Sequence, residues 1–263
     1  MGGRKILERR RRRLEQGERR EAAERTWRLM LRFLSAHLQV VMDVLKGWMC
    51  TGLCTSRMLS FPRVVACSRT CSRFLGLSLG TASLCSAGAN IALLFPNWDG
   101  TYLMRGLIGK HAMLGAGLWG GGLMVLLAAT LISLTGRFSK SAPCLQVFVG
   151  LLSGGLALLG AMICFLTSGV ALKDGPFCMF DVSSSNQTQA WKFSYPFKDL
   201  HNRNYLYDHS LWTSVCLEPS KAVVWHVAFF SVLLCISLLQ LLLVAIHLVN
   251  SILSLFCSFC EKR

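Results

Sequence analysis

The cysteines are the residues of this sequence best equipped for chemistry, and their spacing points to two kinds of it. Cys178 and Cys216 stand as an isolated pair in a polar stretch. In an oxidising compartment such a pair reads as one disulfide, the alternative being two buried free thiols. Cys67, Cys71, Cys257 and Cys260 instead flank long apolar runs, as Cys50 and Cys54 do more distantly. Cysteines beside a bilayer are acceptors for reversible palmitoylation, and Cys67, Cys71, Cys257 and Cys260 are the candidates. The C-x3-C spacing of Cys50 and Cys54, and of Cys67 and Cys71, also suggests zinc faintly, but no histidine lies near and the spacing is unusual for zinc. Asn186-Gln187-Thr188 lies between Cys178 and Cys216 and matches the N-glycosylation acceptor motif. Cys85, Cys164 and Cys235 fall inside apolar runs and read as packing residues.

Catalytic constellations do not emerge. His201, Asp208 and His209 share the polar stretch, yet no further ligand follows at regular spacing. No nucleophile motif or phosphate-binding glycine loop stands out, so the expectation is a protein that is not an enzyme, with no cofactor or metal. The stretch is rich in aromatics instead: Trp191, Phe193, Tyr195, Phe197, Tyr205, Tyr207 and Trp212. Some must pack a small bridged subdomain, and others suit a contact surface.

The elements that carry these residues are set by hydropathy. Crossing about 30 Å of hydrocarbon takes roughly 20 apolar residues in a helix. Four runs meet that test, at 74–95, 112–134, 144–172 and 222–256, and none contains Asp, Glu, Lys or Arg. The expected fold is an all-α four-helix transmembrane bundle, with a small disulfide-bridged outer-loop subdomain between spans three and four. The strongly charged N-terminus does not resemble a cleaved signal peptide.

The net charge of +15 could suggest nucleic acid, but its distribution fits a membrane protein. Of 28 Lys and Arg, 17 precede Phe74, against 6 acidic residues there. Segment 135–143 has Arg137 and Lys140 and no acid, while the long segment 173–221 is balanced. Basic residues near span ends favour the cytoplasmic side. The reading is therefore a cytoplasmic extension 1–57, a cytoplasmic Cys-rich segment 58–73, a cytoplasmic loop 135–143 and a cytoplasmic tail 257–263. The small loop 96–111 and the large loop 173–221 lie outside.

Within the extension, residues 9–13 are all arginine. Trp27, Leu31, Leu34, Leu38, Val41, Leu45 and Trp48 recur at alternating spacings of four and three, on one helical face. Such a helix suits an anionic leaflet surface or a second helix. Inside the spans, Gly117, Gly120, Gly121 and Gly122, and then Gly150 and Gly154, let helices approach closely in lipid. Gly76 and Gly80 share that spacing. Asn90 and Gln240 are the main strongly polar side chains at depth and should seek interhelical hydrogen bonds. His226 and His247 read as interfacial residues near the two ends of the fourth span.

From about Cys67 onward the chain resembles the four-transmembrane L-six antigen family. The residues that carry the resemblance run in order: Cys67-Ser-Arg-Thr-Cys71, Ala89-Asn90 through Pro96-Asn97, Trp119-Gly120-Gly121-Gly122, Ser168-Gly169 through Gly175-Pro176-Phe-Cys178, Leu211-Trp212 with Cys216, and His247-Leu-Val-Asn250 with Cys257 and Cys260. The resemblance implies tetraspanin-like topology in the plasma membrane or an endosomal or lysosomal membrane. It implies a scaffold that organises other membrane proteins in adhesion, motility or signalling through lateral and outer-loop contacts, with a homo-oligomer as a further arrangement. It does not imply an enzyme. Family members often carry Glu where Gln240 stands, and they begin close to the first cysteines, so residues 1–57 read as an extension ahead of Met58. The competing expectation is a small-solute transporter or channel, which usually needs ionisable groups or broken helices at membrane depth.

Overall fold

The computed structural model describes residues 28, 32, 35, 39, 61–135, 143–181, 191–198, 205–206, 212, 215–219 and 221–261, with backbone alone at 61–72, 97, 135, 143–144, 146 and 253–261. Four helices are long and apolar enough to cross a membrane: Arg73–Leu94, Lys110–Leu134, Val147–Asp174 and Ala222–Ile252. Lipid offers no partner for a backbone N–H or C=O, so a spanning segment must satisfy its own, and a helix does so. Hydroxyls in the spans follow the same demand and turn back onto the carbonyl of the preceding turn. Ser83 donates to Gly80 O at 2.7 Å, Ser133 to Ala129 O at 2.8 Å and Thr167 to Ile163 O at 2.7 Å.

The first span lies in helix α1 (Phe61–Leu94), which ends where Pro96 opens a single 3-10 turn, Pro96–Trp98. Two short helices follow, α2 (Thr101–Met104) and α3 (Lys110–Met113). The second span is not one continuous α-helix. After α3 the chain turns at Gly115, which holds φ +62°, a conformation costly for residues with a Cβ. It resumes as α4 (Ala116–Leu118), widens into a π-helical stretch at Trp119–Met124, and returns to α-helix as α5 (Val125–Thr135). The third span is α6 (Pro143–Asp174) and the fourth is α7 (Ala222–Glu261).

The four spans pack as neighbours in ring order: α1 on α5, α5 on α6, α6 on α7, and α7 back on α1. Three clusters form the interior. The one nearest α5 contains Leu75, Leu79, Val125, Ile132, Leu243 and Val244. The middle one contains Ala89, Leu93, Ile108, Ala112, Phe230 and Leu233. The third belongs to the segment between α6 and α7 and contains Cys178, Phe197, Tyr205, Cys216 and Val223.

That segment begins with a sharp stop. Gly175, at φ +78°, follows Asp174, and Pro176 prevents the helix from continuing. Strands β1 (Cys178–Asp181) and β2 (Trp191–Ser194) then pair antiparallel, with Cys178 opposite Ser194 and Asp181 opposite Trp191. On its other side β1 meets the chain returning to α7: Met179 N–H donates to Glu218 O and Leu217 N–H to Met179 O, each at 2.9 Å.

Candidate functional site: the bridged loop and the polar seam beneath it

The Cys178–Cys216 disulfide is present, with the two Cα atoms 5.6 Å apart, and it closes the segment between spans three and four. Both cysteines are buried among the aromatics of that segment. The Phe197 and Tyr205 rings stack 4.6 Å apart, and Trp212 Nε1 donates to Tyr205 O at 2.7 Å. A Cβ at Gly175 would lie 3.0 Å from the Phe197 ring, so the bare backbone lets the aromatic layer sit against the end of α6.

The loop is tied to the bundle as well as to itself. A helix leaves its last carbonyls short of intrahelical partners, and three side chains donate to carbonyls in the last turns here, two of which also accept a backbone N–H from Phe95 or Gly175. Tyr205 Oη donates to Leu172 O, and the His226 ring bonds Ala171 O at 2.9 Å, both at the end of α6. Trp225 Nε1 donates to Ala92 O at 3.1 Å, at the end of α1. His111 Nε2 lies 2.9 Å from Asp174 Oδ2, which joins the second span to the third. The Lys110 N–H donates to Tyr195 Oη at 2.7 Å. Burial raises the Tyr205 phenol pKa above its ordinary value, and nearby Asp174 adds to the rise. Burial likewise raises that of Tyr195, against the opposing effect of the Lys110 N–H.

Beneath the loop is a cavity of about 50 Å3, lined among others by His111, Tyr195, Trp225, His226 and Phe230. Below it runs a polar seam centred on the glycines of the second span. Ser86 Oγ donates to Gly117 O at 2.9 Å, and Gln240 Nε2 donates to Gly121 O at 2.8 Å. Ser86 Oγ also lies 3.8 Å from Cys164 Sγ. A Cβ at Gly121 would come within 2.6 Å of Ser86 Oγ and 3.0 Å of Cys164 Sγ. One at Gly120 would come within 2.8 Å of Gly160 O, and one at Gly122 within 2.9 Å of Gly117 O. A Cβ at Gly117 would meet Leu233 at 2.8 Å and Asn90 Cβ at 2.9 Å. In the lower bundle Gly154 faces Leu248, and Gly150 faces Ser251 while accepting from the His247 ring at 3.1 Å.

The residues singled out in the sequence thus fall into three groups. Gly117, Gly120, Gly121, Asn90 and Gln240 converge on the seam, and Gly122 packs beside it against Ala87. Gly150 and Gly154 pack elsewhere, between α6 and α7. Asn186, His201, Asp208 and His209 lie outside the described residues, and so do the side chains of Cys67, Cys71, Cys257 and Cys260. His226 and His247, towards the two ends of the fourth span, bond the α6 backbone carbonyls of Ala171 and Gly150. Sequence reasoning missed the His111–Asp174 contact and the Gly120–Gly160 approach. Both depend on the relative register of two spans, for which one sequence carries no signal. Among the described residues, no group of three His, Cys, Asp or Glu side chains could hold a metal ion.

Comparison with known proteins adds the family context. The sequence model of the L6 membrane protein family matches residues 66–261. The chain is 91% identical to Transmembrane 4 L6 family member 19 of Mus musculus over 206 residues, which cover 78% of this chain and all of that relative. It is 76% identical to the Homo sapiens protein of the same name, again over 78% of this chain and all of the relative. Transmembrane 4 L6 family member 5 of Bos taurus is 33% identical, over 75% of this chain and 97% of the relative. No solved structure matches the chain.

Proposed function

Because the chain belongs to the L6 membrane protein family, a set of multi-pass membrane proteins embedded in the bilayer, we propose that it is a non-enzymatic scaffold or regulator of other membrane proteins. Its bridged loop and its helix faces would contact partners in adhesion, motility or signalling. The proposed orientation places both termini in the cytoplasm and the loop outside, in the plasma membrane or an endosomal or lysosomal membrane. Glycosylation at Asn186 and palmitoylation among Cys67, Cys71, Cys257 and Cys260 belong to the same proposal.

The observation that carries this reading is the way the loop is mounted. The disulfide and the Tyr205 and Tyr195 contacts hold the loop against the bundle, while Trp191, Lys192 and Leu217 are exposed on it. A rigidly held surface loses little conformational freedom on binding, and tryptophan is favoured where partners bind most tightly. Proximity labelling from the cytoplasmic tail, before and after exchange of residues 178–216 with another family member's loop, tests it. The expected result is a changed set of labelled partners. An unchanged set would show that the loop is not the recognition element. Solute flux through reconstituted protein would favour a transporter instead.

A further inference from the structure

Among the described residues, two amide oxygens in the bundle have no protein donor. Asn90 Oδ1 and Gln240 Oε1 are each buried, on residues 1% and 0% exposed, without a hydrogen-bond partner. Gln240 cannot relieve this by turning its amide over, because its Nε2 already donates to Gly121 O and a flip would set two acceptors face to face. A buried acceptor with no donor is costly, because it has given up water and gained nothing in return. The alternative supply of donors in lipid is poorer still, so the pairing has to come from within the bundle.

The surroundings say what kind of donor fits. Both residues face the irregular part of the second span: a Cβ at Gly115 would lie 3.7 Å from Asn90 Oδ1, and Gln240 bonds Gly121 within the π-helical stretch. Widened helical turns of this kind are frequent at functional sites. The cavity under the loop lies about one helical turn above Asn90. Its walls include Leu93, Ala112 and Phe230, which stand three residues from Asn90, Gly115 and Leu233. Ser86 and Cys164 add further polar atoms to the seam. The apolar runs of all four spans contain no Asp or Glu. A metal cation would therefore sit there without counter-charge, which is strongly unfavourable in lipid, whereas a neutral donor carries no such penalty.

We propose that the seam is a water-binding site, in which ordered water donates to Asn90 Oδ1 and to Gln240 Oε1. The bundle is then hydrated from the loop end to the level of the second-span glycines and dry below, where Leu79, Val125, Leu243 and Val244 close the interior.

Solid-state NMR on the full chain in lipid bilayers, with magnetisation transferred from water to labelled side chains, tests this directly. The Asn90 and Gln240 side-chain amides should build up signal severalfold faster than the methyls of Leu243. Asn90→Leu and Gln240→Met identify the two signals by removing them, and amino-acid-selective labelling of the unaltered chain does so if either variant fails to fold. Build-up at either amide as slow as at Leu243 overturns the proposal for that oxygen. Build-up that vanishes when sodium is replaced by choline marks a cation and overturns it for both.

Discussion

At the loop end of the bundle the spans are tied by side chains that donate to a neighbouring span's backbone. Trp225, His226 and Tyr205 donate to carbonyls in the last turns of α1 and α6. Towards the other end, aliphatic side chains and bare glycine backbone do most of the work. Leu75, Leu79, Ile132, Leu243 and Val244 fill the interior, and Gly76 and Gly154 admit Ser133 and Leu248. The His247 ring adds a polar bond there, to Gly150 O. The difference follows from the solvent. Lipid is as apolar as leucine, so helices at depth gain little from hydrophobic burial and depend on close approach. Near the loop, helix ends leave carbonyls that need donors, and polar and aromatic side chains are the natural supply.

The largest break in this comparison should come from the disulfide. Changing both Cys178 and Cys216 to Ser releases a closed loop of 38-residue separation, which is worth about 4 kcal/mol of unfolded-state entropy. Rapid proteolysis of the loop should follow, with the spans still protected in bilayers. Equal protection of loop and spans would mean that the side-chain caps suffice. Next in size is Gly160→Val. A Cβ at Gly160 would come within 2.6 Å of Gly120 O, a backbone atom that cannot rotate away. Overpacking of this kind costs about 1–3 kcal/mol and should lower the Tm of the purified protein in detergent.

These sites differ in how visible they are in the sequence. The four spans are legible because a bilayer sets their length and forbids unpaired charge within them. The Cys178–Cys216 bridge is legible because the two cysteines stand alone in one loop. The glycines of the second span announce close packing, yet their spacing does not show the turn at Gly115 or the π-helical stretch that follows. Nor does it show that Gly120 meets Gly160 rather than Gly150 or Gly154, because that choice depends on how far one span slides along another. The partners of His226 and His247 are illegible for a related reason: position near a span end does not say which carbonyl of the next helix a ring will meet.

A smaller effect separates the two ends of the bundle by pH. Tyr205→Phe keeps the ring stacked on Phe197 and removes the bond to Leu172 O, a loss of about 1 kcal/mol. The folded protein raises the Tyr205 phenol pKa through burial and Asp174, and Tyr195 and Tyr102 are raised as well, each first by burial. The folded state therefore holds these protons more tightly than the unfolded one. Stability from this source is complete below the ordinary tyrosine pKa of about 10 and is lost as pH rises beyond it. Loop opening, followed by the rate of proteolysis, should accelerate above that pH. Tyr205→Phe should reduce the slope, and an unchanged slope would assign the effect to other groups.

The smallest effect sharpens the contrast most, because it lies on the same helix as one of the largest. A Cβ at Gly155 would meet nothing within 4 Å, whereas one at Gly160 meets backbone. Gly80 and Gly88 on α1 are equally open. Alanine constrains the unfolded chain more than glycine and suits a helix better, so Gly155→Ala should raise stability by no more than about 1 kcal/mol. The same should hold for Gly80→Ala and Gly88→Ala, and thermal unfolding of the purified variants measures it. If Gly155→Ala were as damaging as Gly160→Val, a packing partner would have to occupy the Gly155 face. Glycine in these spans would then be serving contacts beyond the four-helix bundle as well as within it.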